Sequence, residues 1–274
     1  MEGRQLSSQK DITVAVAAHK PYCMPNDKCY LPLHVGADLH PEVCLDMQQD
    51  NLGDNISQKN ASYSELTGMY WLWKNCSSFY KGLVHYRRHF KTIDPSKAKS
   101  KNPFDLIASS EDFKEVFDST NSQVIVPKAR NYYIDTVEAH YRHTLPGEQL
   151  DATRAALNCY CPKYIPAFER ELSGTKALMF NMFVAEGAVF NAYCEWLFFV
   201  LEKIESSLDS TEYDAFNARW PGRISEMLLD TWLSTNDIKL AEMPTISPEP
   251  VDWIAKGSGF LAAKFFGKKY KRSF

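Results

Sequence analysis

Two short apolar runs, each ending in a cluster of cations, constrain this chain more than any other feature. Ile12-Thr-Val-Ala-Val-Ala-Ala18 stops at His19-Lys20-Pro21, and Gly82-Leu-Val-His-Tyr86 stops at Arg87-Arg88-His89. Neither run alternates polar with apolar, so each reads as a strand buried on both faces, as in a parallel sheet covered by helices. A short strand is expected at 31–35 and another buried strand at 123–126, closed by Pro127. Helical periodicity marks 62–75, where Leu66, Tyr70 and Trp73 share one face. It marks 136–144, 149–159, 164–172, 189–206 and 223–233 as well. Strands followed by helices predict an α/β fold: a mostly parallel sheet with flanking helices and a helical C-terminal half.

Residues 1–10 read as a polar leader and 11–243 as one domain. Its ligand-binding part is 11–130 and its mainly helical part 131–243. Residues 244–274 read as a Pro-rich linker and a basic-aromatic tail. The segment 21–60 is rich in Pro, Asp, Asn and Gly, a loop long enough to be functional. Residues 94–122 are charged and show no clear period. The leader MEGRQLSSQKD has no apolar core, so no signal peptide is expected. No uncharged apolar run approaches about 18 residues, so no membrane span is expected.

Composition removes several classes. Thirty-one Lys and Arg against 34 Asp and Glu give a net charge of −3, which argues against a nucleic-acid partner. Seven scattered cysteines without a C-x-x-C pair give no zinc ribbon and read as reduced thiols of a cytosolic protein. Dinucleotide-binding, P-loop, nucleophile-elbow and zinc-protease motifs are all missing. So is Asp-x-Asp, the usual nucleotide–metal clamp of sugar-nucleotide transferases, so no metal ligand is assigned.

In open α/β sheets ligands bind beyond the carboxyl ends of the strands. That places His19 and Lys20 at one strand end, and His85, Arg87 and Arg88 at the next. Adjacent arginines at a buried strand end call for an anion, and their planar forks suit phosphate. An internal pairing with Asp54 or Glu65 is the alternative. Asp50-Asn-Leu-Gly-Asp-Asn-Ile-Ser57 is a turn rich in acceptors. It reads either as a cradle for sugar hydroxyls or as a plain turn before the next helix. Glu226, after Trp220-Pro-Gly222, reads as a base facing a cleft or as an ordinary first-turn glutamate favoured by the helix dipole.

Several stretches together resemble a known family. They are ITVAVAAHKPY (12–22), YLPLHVG (30–36), GDNISQKN (53–60), YSELTGMYWLWKN (63–75) and GLVHYRRHF (82–90). FNMF (180–183), YCEWL (193–197) and GRISEMLL (222–229) follow in order. The set is similar to the capsular polysaccharide and lipopolysaccharide glycosyltransferases grouped as domain of unknown function 4422. It departs from them at Ser64, at Arg223-Ile224 and at Met227. The resemblance implies a GT-A-like hexosyltransferase that uses a nucleotide-sugar, a UDP-hexose or UDP-galactofuranose, to build bacterial capsule or O-antigen.

On that reading His19, Lys20, Asp54, Asn55, Ser57, Asn60, Arg87 and Arg88 bind the nucleotide-sugar. Glu226 and His85 are the catalytic candidates, with Glu226 the base on the acceptor hydroxyl if the reaction inverts. Action without a metal is expected, although Mn or Mg stays open as a cofactor. The acceptor is expected to be a lipid-linked glycan. The tail at 260–274, with five cations, four phenylalanines and no acid, would dock the protein on the anionic inner face of the cytoplasmic membrane. One alternative is a non-catalytic carbohydrate-binding or scaffold protein, with Tyr70, Trp71 and Trp73 stacking sugars. Another is a phosphate-ester hydrolase using His85 or His89, for which no nucleophile or metal set is evident.

Overall fold

Alternate side chains of the first strand, β1 (Ile12–Ala18), enter two different cores. Ala15 and Ala17 join one cluster, while Ile12, Val14, Val16 and Ala18 join the other. Both faces of the sheet are therefore covered, which is why the strand carries no polar alternation.

The computed structural model describes residues 10–133 and 135–249. After β1 come β2 (Tyr30–His34), β3 (Gln48–Gln49), β4 (Tyr80–His85), β5 (His89–Phe90), β6 (Val124–Pro127) and β7 (Arg130–Asn131). They are followed by β8 (Lys176–Ala177), β9 (Phe183–Glu186), β10 (Leu240–Met243) and β11 (Thr245–Ile246). The helices are α1 (Asn60–Tyr63), α2 (Leu66–Asn75), α3 (Ser110–Thr120) and α4 (Val137–Thr144). Then come α5 (Glu148–Tyr160), α6 (Ile165–Ser173), α7 (Gly187–Ser207) and α8 (Trp220–Thr235).

The main sheet has seven strands in the order β10-β6-β9-β4-β1-β2-β3. Only β9 runs against the others, pairing antiparallel with β4 and β6. The mostly parallel α/β fold expected from the sequence is what the chain forms. β9 was not foreseen, because four residues are too few to show a period. Gly82 makes its place possible: a Cβ there would meet Val184 Cγ2 at 2.7 Å and the Phe183 carbonyl at 2.8 Å. Helices α2 and α5–α8 pack into the core on one face, and α3 closes the other.

Four expectations change. The helix expected over 62–75 breaks at Ser64, whose φ of 52° ends α1 and leaves Glu65 at the start of α2. The segment 94–122 contains α3, opened by a Ser109–Asp112 capping box that few apolar residues had flagged. Helix α8 begins at Trp220, with Pro221 in its first turn, so Glu226 lies in its second turn. Finally, β11 pairs with β5 in the segment read as linker, so pairing continues past residue 243. Residues 260–274 lie outside the described residues. Among those described, no helix is long and apolar enough to cross a membrane.

The aromatic residues of α2 are used for packing. Trp71 is buried and donates its indole N–H to the Leu52 carbonyl at 2.7 Å. Trp73 stacks on Phe198 of α7 and Tyr70 meets the same ring edge-on. His89 is wholly buried, and its imidazole is pushed down to about 4 by burial, so it is a neutral core residue out of reach of substrate.

Candidate functional site

β1 and β4 are parallel neighbours, so their carboxyl ends lie side by side. The chain turns sharply after β4: the Arg88 N–H donates to the His85 carbonyl at 2.8 Å. Tyr86 drops into the core and sends its neighbours outward. Four of the expected residues gather round its ring. His19 meets it edge-on with centroids 5.3 Å apart, His85 stacks at 4.8 Å, and Lys20 Nζ and Arg87 Cζ stand 5.5 and 5.1 Å from its centroid. His19, Lys20 and Arg87 are exposed, so the buried-arginine argument applies to Arg88 alone. Burial, then the charges of Arg88 and Arg87, push His85 down to about 3. It is therefore a neutral imidazole and adds no positive charge for a phosphate.

Arg88 points to a second cluster. Its guanidinium covers the Phe180 ring, with Cζ 3.5 Å from the centroid. The Phe180 N–H donates to Glu226 Oε1 at 2.8 Å. The next residue, Asn181, donates its amide to Glu65 Oε1 and to the Gly222 carbonyl, both at 2.8 Å, and accepts the Ser225 hydroxyl at 2.8 Å. Phe180 and Asn181 have φ of 77° and 51°, and Ser64, beside Glu65, has 52°. Three non-glycine residues in the left-handed region around two carboxylates mark a place where geometry overrides backbone preference.

Burial, and then the neighbouring charge of Glu65, push Glu226 up to about 8; the Phe180 N–H, Arg223 and Arg88 oppose this. Glu65 is raised too, chiefly by burial. Neither Arg87 nor Arg88 has an ion-pair partner among the described residues, so the internal pairing with Asp54 or Glu65 does not form. Glu226 is not a first-turn dipole residue: its carboxylate is held from outside its own helix.

The Asp50–Ser57 turn is built differently from the site expected there. Asp50 accepts from the Gly36 and Ala37 N–H groups and from the Ser57 and Thr67 hydroxyls, at 2.6–3.1 Å. Asn60 donates to the Ser64 carbonyl and to Thr67. Ser57 and Asn60 are thus committed to holding the turn against α2. Asn55 donates to the Asn51 and Gly53 carbonyls. Asp54 exchanges hydrogen bonds with Asn75 at the far end of α2, which returns the chain to the start of β4. The structure does not bring Asp54 to the strand carboxyl ends.

Sequence reasoning missed Asn181 and Arg219, and considered Glu65 only as an internal partner of the arginines. A signal for part of this existed. Arg219, Arg223, Glu226 and Asp230 follow each other at intervals of four, three and four, a polar stripe on a helix otherwise largely buried. Among the described residues no group of three or more His, Cys, Asp or Glu is placed to hold a metal ion.

The arrangement offers a carboxylate of raised pKa beside cations that have no ion-pair partner among the described residues, at the carboxyl edge of a parallel sheet. The solved apo structure of the bifunctional glycosyltransferase WbbM has a similar fold, with a TM-score of 0.76 and 26% identity. The match covers 86% of this chain and 45% of that one, so the chain spans less than half the length of that protein. No protein of curated function matches the chain. The family described as domain of unknown function DUF4422 matches residues 13–237. With most of its length inside that match, the chain belongs to the DUF4422 family.

Proposed function

We propose that the protein is a glycosyltransferase that moves a hexose from a nucleotide-sugar to a glycan acceptor. The observation that carries this reading is Glu226, a carboxylate fixed by the Phe180 N–H, raised to about 8 and set beside Arg88. A base of that strength is matched to taking a proton from a sugar hydroxyl near neutral pH. Arg88, with Arg87 and Lys20 at the rim, would hold the diphosphate and stabilise the charge that develops as it leaves. The similarity in fold to WbbM supports the same class of chemistry.

The proposed donor is a UDP-hexose, a class that includes UDP-galactofuranose. The acceptor is proposed to be a lipid-linked glycan of bacterial capsule or O-antigen synthesis, met at the cytoplasmic membrane surface. The test is a screen of nucleotide-sugars that reads release of free nucleotide by the purified protein, with and without EDTA. Release from one donor, stimulated by acceptor, supports the reading; binding of glycans without release from any donor supports a non-catalytic carbohydrate-binding protein instead.

A further inference from the structure

Arg223 lies one turn before Glu226 on the same face of α8. Both of its Nη atoms are buried and have no hydrogen-bond partner among the described residues. The guanidinium rests on the Phe216 ring, 4.0 Å from its centroid. A charge so placed is costly unless an anion meets it. The anions nearby do not pair with it: Asp214 accepts the Asn217 N–H at 2.7 Å, Glu226 accepts that of Phe180, and neither forms an ion pair with Arg223 among the described residues. The Tyr141 hydroxyl is spent on Gln149 at 2.6 Å. One turn earlier stands a second cation, Arg219, whose Nε donates to the Ser64 hydroxyl at 2.9 Å. Like charges one turn apart repel each other. Arg219 is partly exposed and the Nη atoms of Arg223 are buried, so two cations, one nearer solvent than the other, stand beside the proposed base.

We propose that this pair of arginines is an oxyanion subsite for the acceptor, so that the accepting sugar carries a carboxylate or phosphate close to its reacting hydroxyl. The inference rests on the transferase reading. It is separate from the donor clamp, since Arg87 and Arg88 follow β4 whereas Arg219 and Arg223 belong to the start of α8. An oxyanion arriving at Arg219 draws the Arg223 fork off Phe216 by a change of one side chain, and the planar fork takes two oxygens at once. Occupancy has a chemical consequence. It neutralises a positive charge that opposes the rise of Glu226, so the carboxylate becomes a stronger base when a correct acceptor is seated. A neutral sugar leaves that charge in place.

The test is binding to the full chain, in the presence of UDP, of methyl β-glucuronide, glucose 6-phosphate and methyl β-glucoside, read by NMR titration. At least one charged sugar should bind about tenfold or more tightly than the neutral one, the size of a single charge-assisted hydrogen bond. Which one wins distinguishes a carboxylate from a phosphate. Arg223→Met should abolish the preference, and Arg223→Lys, which keeps the charge but loses the fork, should retain part of it even if the methionine variant fails to fold. Equal binding of charged and neutral sugars, a preference that survives in a folded Arg223→Met, or an equal loss of UDP affinity in both variants overturns the proposal. Charged-sugar preference without turnover of any donor would sink the transferase reading and leave the subsite standing. Transfer to charged and neutral acceptors at equal rates, unchanged for both by Arg223→Met, would do the reverse.

Discussion

The backbone N–H of Phe180 reaches Glu226 Oε1 at 2.8 Å, from a residue with φ of 77°. A backbone donor cannot swing away, so it fixes one carboxylate oxygen and leaves the other for chemistry. Glu226→Gln keeps an oxygen for that N–H and removes the base. Turnover should fall at least about 10²-fold while nucleotide affinity holds. Stability should move the other way. A carboxyl group raised in the folded state stabilises fully below its unfolded pKa, and that contribution is lost as pH rises towards about 8. The glutamine variant should therefore be more stable than the parent at pH 7, by up to about 3 kcal/mol, and match it near pH 4. Full turnover of the variant removes Glu226 from the mechanism.

Arg88 and Arg87 should not contribute equally. Arg88 is half-buried over Phe180, whereas Arg87 is exposed. A charge-assisted contact is worth roughly 1.5–3 kcal/mol, with exposed contacts at or below the low end. Calorimetry with UDP should show the larger loss for Arg88→Ala and a smaller one for Arg87→Ala. Unchanged affinity in a folded Arg88→Ala excludes the diphosphate clamp.

Ser57 separates a structural turn from a sugar cradle. Its hydroxyl donates to Asp50 at 2.6 Å and accepts the Asp38 N–H at 3.1 Å. Ser57→Ala leaves buried partners unpaired, at a cost of about 1–3 kcal/mol. The melting temperature should drop while UDP affinity stays put. Lost affinity with an unchanged melting temperature would restore the turn to the donor site.

These contrasts show what the sequence could reveal. β1 and β4 were legible because burial on both faces leaves an uninterrupted apolar run, and the cations after them follow from strand direction. The short β9 and the break at Ser64 were not. Each depends on a close approach between segments distant in the chain, at Gly82 against Val184 and at Ser64 against Arg219. Glu226 could be suspected from its helix, but its partner Phe180 lies 46 residues away, and a local reading has no access to that separation. The same limit hid Asn181. Its amide joins Glu65 to Gly222, and nothing beside it in sequence predicts either contact.

The basic tail provides a prediction that needs only its sequence. Residues 260–274 carry Lys264, Lys268, Lys269, Lys271 and Arg272 beside Phe260, Leu261, Phe265 and Phe266. Each cation near an anionic surface adds about 1 kcal/mol. The full chain should sediment with anionic vesicles, and a form ending at Val251 should not. High salt should release the bound protein. Equal sedimentation of the two forms excludes the tail as an anchor.

Glu65 makes the sharpest test of the proposed base. Glu226 must lose its proton before it can take another, so kcat/KM should rise with pH through an apparent pKa near 8. The groups that act on it are Glu65 at the start of α2, Arg88 after β4 and Arg223 on α8, besides the Phe180 N–H. Of these only Glu65 pushes the value up, and Asn181 holds that carboxylate in place at 2.8 Å. Glu65→Gln removes the opposing charge and keeps an oxygen for Asn181. The acid limb should then move to lower pH, with the plateau rate little changed if position alone is preserved. Arg88→Ala should move it to higher pH, because an attraction for the ionised form is lost. A limb that stays fixed in both variants would mean that some other group titrates, and Glu226 would lose its place as the base.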